Sequence, residues 1–177
     1  MINKMISSVG VGATSAGGTG TLYIDKTDDN YGIGEGLTFH ADAEDNIALG
    51  EDALNSTAGT ATRNIGIGTG ALTALSVGDD NTAIGFNAFN DFDGSESQNT
   101  ALGAYAGSAI EGNTSTNNVL LGYYAGQGGS VGAMIGCIAI GSHAMDSTGT
   151  EAQTGTIAIG HSALTALTSG AGNTAIG

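Results

Sequence analysis

The chain has 177 residues, with 32 Gly, no Pro and no Trp, and its 17 Asp+Glu against three Lys+Arg give a formal charge of -14. Glycine at this level opposes long helices, each interior Gly costing about 1 kcal/mol relative to Ala, and collagen would need Gly at every third place with abundant Pro. An acidic surface repels phosphate, which excludes nucleic acid and anionic membrane as partners, while 40% hydrophobic residues set the chain apart from disordered acidic tails.

Residues 1–29 carry Lys4 and Lys26 but no continuous apolar run that could serve as the core of an export signal. No stretch approaches the ~20 apolar residues needed to span a bilayer, so membrane insertion is not expected. The string Ser-Val-Gly-Val-Gly-Ala-Thr-Ser-Ala-Gly-Gly-Thr-Gly within this strip predicts an adaptable, poorly packed segment.

From residue 30 onward the chain repeats itself. After a weak copy at Asn30-Tyr31-Gly32-Ile33-Gly34, a five-residue phrase closes on Gly50, Gly68, Gly85, Gly103, Gly122, Gly141, Gly160 and Gly177. Spacings of 18, 17, 18, 19, 19, 19 and 17 residues separate these glycines, and Ala stands three places after each of the first seven. Asn opens six of the phrases; Cys137 and Thr156 open the other two. Such self-similarity marks a solenoid, in which one unit cannot bury its own apolar stripe and stacking supplies the core.

Within each phrase the residues before Gly alternate large, small, large. The large positions are Ile47 and Leu49, Ile65 and Ile67, Ile84, Leu102, Val119 and Leu121, Ile138 and Ile140, Ile157 and Ile159, and Ile176, with Thr82, Thr100 and Thr174 in three first places. Period-two alternation predicts a short strand with these aliphatics facing a core, and the small middle residue implies close packing on the other face as well. The closing glycines Gly50, Gly68, Gly85, Gly103, Gly122, Gly141 and Gly160 suit corners of positive φ or crowded backbone. Segments between phrases vary in length and hold most of the acidic residues, as exposed loops do. The opening Asn, repeated at one corner, predicts a ladder of side-chain amides linking each coil to the next. At ~4.8 Å per rung, eight coils extend roughly 35–40 Å.

The phrase Asn-[Ile/Thr/Val]-Ala-[Ile/Leu]-Gly-x-x-Ala resembles the repeats of trimeric autotransporter adhesin heads, and more closely the "NTAIG…A" arrays of bacteriophage tail fibres, over residues 30–177. The resemblance implies a parallel β-solenoid or left-handed β-roll, elongated, with three copies of the chain about one axis and the alternating aliphatics inside. It implies a rigid shaft that supports host attachment. Its expected partners are two further copies of itself, tail or baseplate proteins gripped by residues 1–29, and a host cell-surface receptor met by a distal part. A fibre of this kind is expected in the virion after assembly in the host cytoplasm. An adhesin head, or a head or baseplate fibre of the virion, is the alternative. The stop at Gly177, directly after a phrase, fits one piece of a longer fibre.

Rings fall one or two places after the phrase Gly in five successive coils: Phe86, Tyr105, Tyr123 with Tyr124, His143 and His161. Stacking brings them into a stripe that is either a recognition surface or packing between chains of a trimer. The run Asp91-Phe92-Asp93-Gly94-Ser95-Glu96 partly echoes a calcium loop but lacks the downstream Glu, which predicts a solvated acidic loop. His40, His143 and His161 do not fall at matched repeat positions, so zinc is not expected, and the lone Cys137 reads as a small buried residue. Gly66-Ile67-Gly68-Thr69-Gly70 lacks the helix and acidic residue of a nucleotide site. No cofactor is called for, and no Ser, His or Asp has an orienting partner that would make the chain an enzyme.

Overall fold

The computed structural model describes residues 45–56, 59–110, 114–128, 132–149, 151–168 and 170–177. The strip 1–29, the weak phrase at 30–34, His40 and Glu111 lie outside the described residues. Among the described residues every regular element is a strand. In chain order these are β1 (Ile47–Leu49), β2 (Ile65–Ile67), β3 (Thr82–Ile84), β4 (Thr100–Leu102), β5 (Val119–Leu121), β6 (Met134–Ile135), β7 (Ile138–Ile140), β8 (Gln153–Thr154), β9 (Ile157–Ile159), β10 (Gly170–Ala171) and β11 (Thr174–Ile176).

The chain is an all-β parallel solenoid. Eight strands, one per phrase, form a single parallel sheet in the order β1-β2-β3-β4-β5-β7-β9-β11. Its register is set phrase on phrase: Ile47 faces Ile65, Ile65 faces Thr82, Thr82 faces Thr100, and so on to Ile157 against Thr174. A second parallel wall, β10-β8-β6, is continued toward the N-terminal coils by single bridges Ile135–Thr116 and Thr116–Ser97. Differences in coil length are therefore absorbed in the connecting segments while both walls keep step.

Each corner after the main sheet winds through a fixed sequence of left-handed residues. The phrase glycines have φ between 124° and 141°. Two and four places further on, φ is again positive, as at Tyr105 (58°) and Gly107 (65°), Tyr124 (55°) and Gly126 (57°), or His143 (58°) and Met145 (52°). Backbone groups freed by this winding bond to neighbouring coils: Tyr105 N–H donates to Phe86 O at 2.8 Å and Gly107 N–H to Ala125 O at 3.0 Å. At the glycine itself two constraints coincide. A Cβ on Gly122 would sit 2.7 Å from the carbonyl carbon of Gly141 in the next coil, and its φ of 133° is closed to L side chains.

The inside of the coil corrects one sequence expectation. In the single chain the residue that points inward is the small middle one: Ala48, Ala83, Ala101, Ala139 and Ala158 are buried, with Leu120 at the same position in β5. The aliphatics expected in the core point away from the coil interior. Ile47, Leu49, Leu102, Val119 and Ile176 are exposed, and Ile65, Ile67, Ile84, Leu121, Ile138, Ile140, Ile157 and Ile159 are partly buried. The reason is that the interior beneath the sheet is already filled from elsewhere, by Leu72, Phe89 and Met145, four places after the phrase glycines, together with Leu75, Phe92, Ile110 and Met134.

Candidate functional site

Three features run along the rod: an internal amide ladder where each strand begins, an outward aliphatic face on the strand itself, and, over five coils, a stripe of rings at the corner after it. The ladder is built from the opening Asn of each phrase. Asn46 Oδ1 accepts the backbone N–H of Asn64 at 2.8 Å, Asn64 Oδ1 that of Asn81 at 2.8 Å, Asn81 Oδ1 that of Asn99 at 3.1 Å, and Asn99 Oδ1 that of Asn118 at 3.1 Å. Each Nδ2 also crosses to a carbonyl of the opposite wall, from Asn81 to Glu96 O at 2.7 Å and from Asn99 to Ser115 O at 2.9 Å. One amide thus closes its own coil and ties it to the next one, as expected of a repeated Asn. It is buried, so it substitutes for water as the partner of backbone groups that would otherwise be stranded.

The ladder changes chemistry at Cys137. Its N–H donates to Asn118 Oδ1 at 2.8 Å, and its thiol, buried and pushed upward in pKa by that burial, points at Gln153 O at 3.4 Å. In the next coil Thr156 takes the slot with its hydroxyl buried and unpartnered. Cys137 is therefore a buried structural residue in an amide's place.

The outward face of the main sheet presents two columns. The first holds Ile47, Ile65, Thr82, Thr100, Val119, Ile138, Ile157 and Thr174; the second, Leu49, Ile67, Ile84, Leu102, Leu121, Ile140, Ile159 and Ile176, is aliphatic throughout. Leu102 is 50% exposed and Ile176 74%. No charged side chain belongs to either column. Its eight rungs span roughly 34 Å at 4.8 Å per strand, a long unbroken apolar strip for a surface in contact with water.

The ring stripe is assembled as its spacing predicts, and it divides into two files. Two places after the phrase Gly, Tyr105, Tyr124 and His143 stack face to face, with centroids 4.8 and 5.4 Å apart and planes within 3° and 11°. One place after the Gly, Phe86, Tyr123 and His161 stand almost at right angles to that file: Phe86 to Tyr105 at 79°, Tyr123 to Tyr124 at 84°, His161 to His143 at 71°. His143 Nδ1 lies 2.6 Å from Asp146 Oδ2, and His161 Nδ1 lies 3.1 Å from Ser162 Oγ. Asp146 as the imidazole's partner was not evident from the sequence; its signal is the three-residue offset across a corner whose winding is unlike any helix or strand.

The acidic run 91–96 is less solvated than its composition implies. Phe92 stacks on Phe89 in the core at 4.1 Å, and Glu96 is buried with Oε2 accepting the Gly94 N–H at 2.9 Å and Oε1 without a partner. Burial pushes the Glu96 carboxyl above its ordinary range. Among the described residues, no group of three or more His, Cys, Asp or Glu could hold a metal ion. Arg63 spends its guanidinium on Asp80 in a two-pronged contact of 2.6 and 2.9 Å between consecutive coils, which holds the Asp80 carboxyl below its usual range.

Taken together, fold and surface define a repeat rod: a narrow parallel solenoid, locked internally by amides, with one apolar side and one ring-bearing corner. No protein-family model, curated protein or solved structure matches the chain.

Proposed function

We propose that this chain is a structural shaft, assembled as a homotrimer, of a bacteriophage tail fibre, and that its work is mechanical: to hold a host-attaching part away from the particle. The observation that carries the reading is the aliphatic face. A coil that turns Ile and Leu outward along eight consecutive rungs, while lining its interior with Ala, has its largest apolar surface still to bury. Association about a common axis buries that face for every copy equally, which closed symmetry requires. Regular register and the absence of charge along the strip suit a partner with the same repeat. The resemblance of the phrase to tail-fibre arrays supplies the setting.

Light scattering on the purified chain tests the assembly. The expected mass is three times the 17.2 kDa monomer. Leu102→Asp, which places a carboxylate in the middle of the unbroken column, is expected to abolish the trimer. A stable monomer for the parent chain, or a Leu102→Asp variant that still assembles, sinks the proposal. Labelling of phage particles by an antibody against the chain tests the virion setting.

A further inference from the structure

We propose that the outer file of rings, Phe86, Tyr123 and His161, is a binding platform for an extended, neutral, β-1,4-linked glycan lying along the rod. The inner and outer files differ in what they leave open. Tyr124 has both faces occupied, by Tyr105 on one side and His143 on the other, so the inner file is stacked shut. Tyr123 lies 4.4 Å from Tyr124 and at 84° to it, so it meets the edge of that ring and turns its other face outward. Phe86 and Tyr123 are 45% and 48% exposed, and His161 is exposed as well.

Spacing identifies the ligand. The position one place after the phrase Gly reads Phe86, Ala104, Tyr123, Ser142, His161, a ring alternating with a small residue. Rings therefore recur every second coil, roughly 9.5 Å apart at two 4.8 Å rungs. In a β-1,4-linked pyranose chain each sugar is turned over relative to the last. Alternate sugars thus present the same apolar face to one side, at a comparable repeat, and Ala104 and Ser142 leave space for the sugars between. An α-1,4-linked chain coils and cannot keep step with a straight file. The ring faces supply stacking, and His143, held by Asp146, stands beside Tyr123 and His161 as a polar group. The chain's charge of -14 disfavours uronic-acid polymers and so selects neutral sugars.

The platform sits one corner away from the aliphatic face, so its test is separable from that of assembly. Binding of cellohexaose and chitohexaose to the intact chain is measured by titration calorimetry, with maltohexaose as the α-linked control. Both β-1,4 hexasaccharides are expected to bind and maltohexaose not. Tyr123→Ala is expected to weaken binding about tenfold and Tyr123→Phe to preserve it, since the face and not the hydroxyl makes the contact. The proposal is overturned by failure of both β-1,4 probes to bind, by equal binding of maltohexaose, or by an unaffected Tyr123→Ala. It is also overturned if Tyr123→Ala lowers the mass in light scattering, which would make the ring an element of chain-to-chain packing. A monomeric parent chain that binds cellohexaose sinks the trimer and leaves the platform standing.

Discussion

At single residues, two glycines of positive φ have opposite prospects. Gly122, at 133°, faces the backbone of Gly141, whose carbonyl carbon and oxygen would lie 2.7 and 2.8 Å from an added Cβ. Gly155, at 63°, has nothing within 4 Å of such an atom, and its counterparts in earlier coils include Asn117, Gln98, Asp80 and Arg63 beside Gly136, all left-handed. Gly122→Ala is therefore expected to cost about 3 kcal/mol or more, because both neighbouring rungs must part. Gly155→Asn should stay within about 0.5 kcal/mol of the parent, as Asn tolerates the left-handed region. Denaturant melts of the two variants decide it; equal losses would show that backbone conformation alone dictates the corner. Glu96 gives a prediction of a different sign. Burial raises its carboxyl pKa, so the folded chain retains a proton that the unfolded chain has already released. Stability is then greatest below the ordinary carboxyl range and declines as pH rises through the raised folded value. Glu96→Gln removes that slope: its melting temperature should exceed the parent's near about pH 7 and converge with it near about pH 4. A variant destabilised near about pH 7 but not near about pH 4 would show instead that the carboxylate is held by contacts the protonated form lacks.

At the level of one coil, stability depends on how two positions share a narrow interior. Where the strand residue is small and no Leu120 lies in the next coil, the residue four places after the phrase Gly is large, as Leu72 in the coil of Gly66, Phe89 in that of Ala83 and Met145 in that of Ala139. Where it is Leu120, the corresponding places in its own and the preceding coil are Gly126 and Gly107. A Cβ on Gly126 would lie 2.5 Å from Leu120 Cδ2, and one on Gly107 3.0 Å from Leu120 Cδ1 and in hard contact with Phe89. Leu120→Ala should accordingly cost about 2–5 kcal/mol through the cavity it leaves. Adding Gly126→Leu should recover part of the loss, since Leu72 and Leu164 hold the same left-handed backbone at 53° and 54°. Additive losses in the double variant would refute this sharing. The same exchange explains what the sequence disclosed and what it hid. Repeating Gly and Asn at fixed offsets revealed the rungs, their register and the amide ladder, because each role depends on local conformation or on an identical neighbour. Alternation in Ile-Ala-Leu revealed two faces but not which one is inside. That depends on what fills the interior, and Phe89, Phe92 and Met134 reach it from positions whose residue type does not repeat from coil to coil.

For the whole molecule, the proposed trimer would have to overcome charge. Three copies together would carry a formal -42, three times the -14 of one chain, and among the described residues the acidic ones lie in the connecting segments and corners, outside the two aliphatic columns. In the proposed trimer, attraction between copies would be apolar and local, whereas repulsion would be ionic and act across the width of the rod. Salt separates the two. The Debye length falls from about 30 Å at 0.01 M to about 10 Å at 0.1 M and about 3 Å at 1 M, so added NaCl removes the repulsion while leaving the apolar contact intact. Trimer dissociation followed by sedimentation at increasing NaCl should move to lower protein concentration, with most of the gain below about 0.1 M, where the screening length crosses the dimensions of the rod. An interface built on ion pairs would behave in the opposite way and loosen with salt. Of the three Lys+Arg in the chain, Arg63 is already committed to Asp80. A trimer that weakens as NaCl rises would thus contradict the aliphatic face as the contact surface, even if the mass in dilute buffer were threefold.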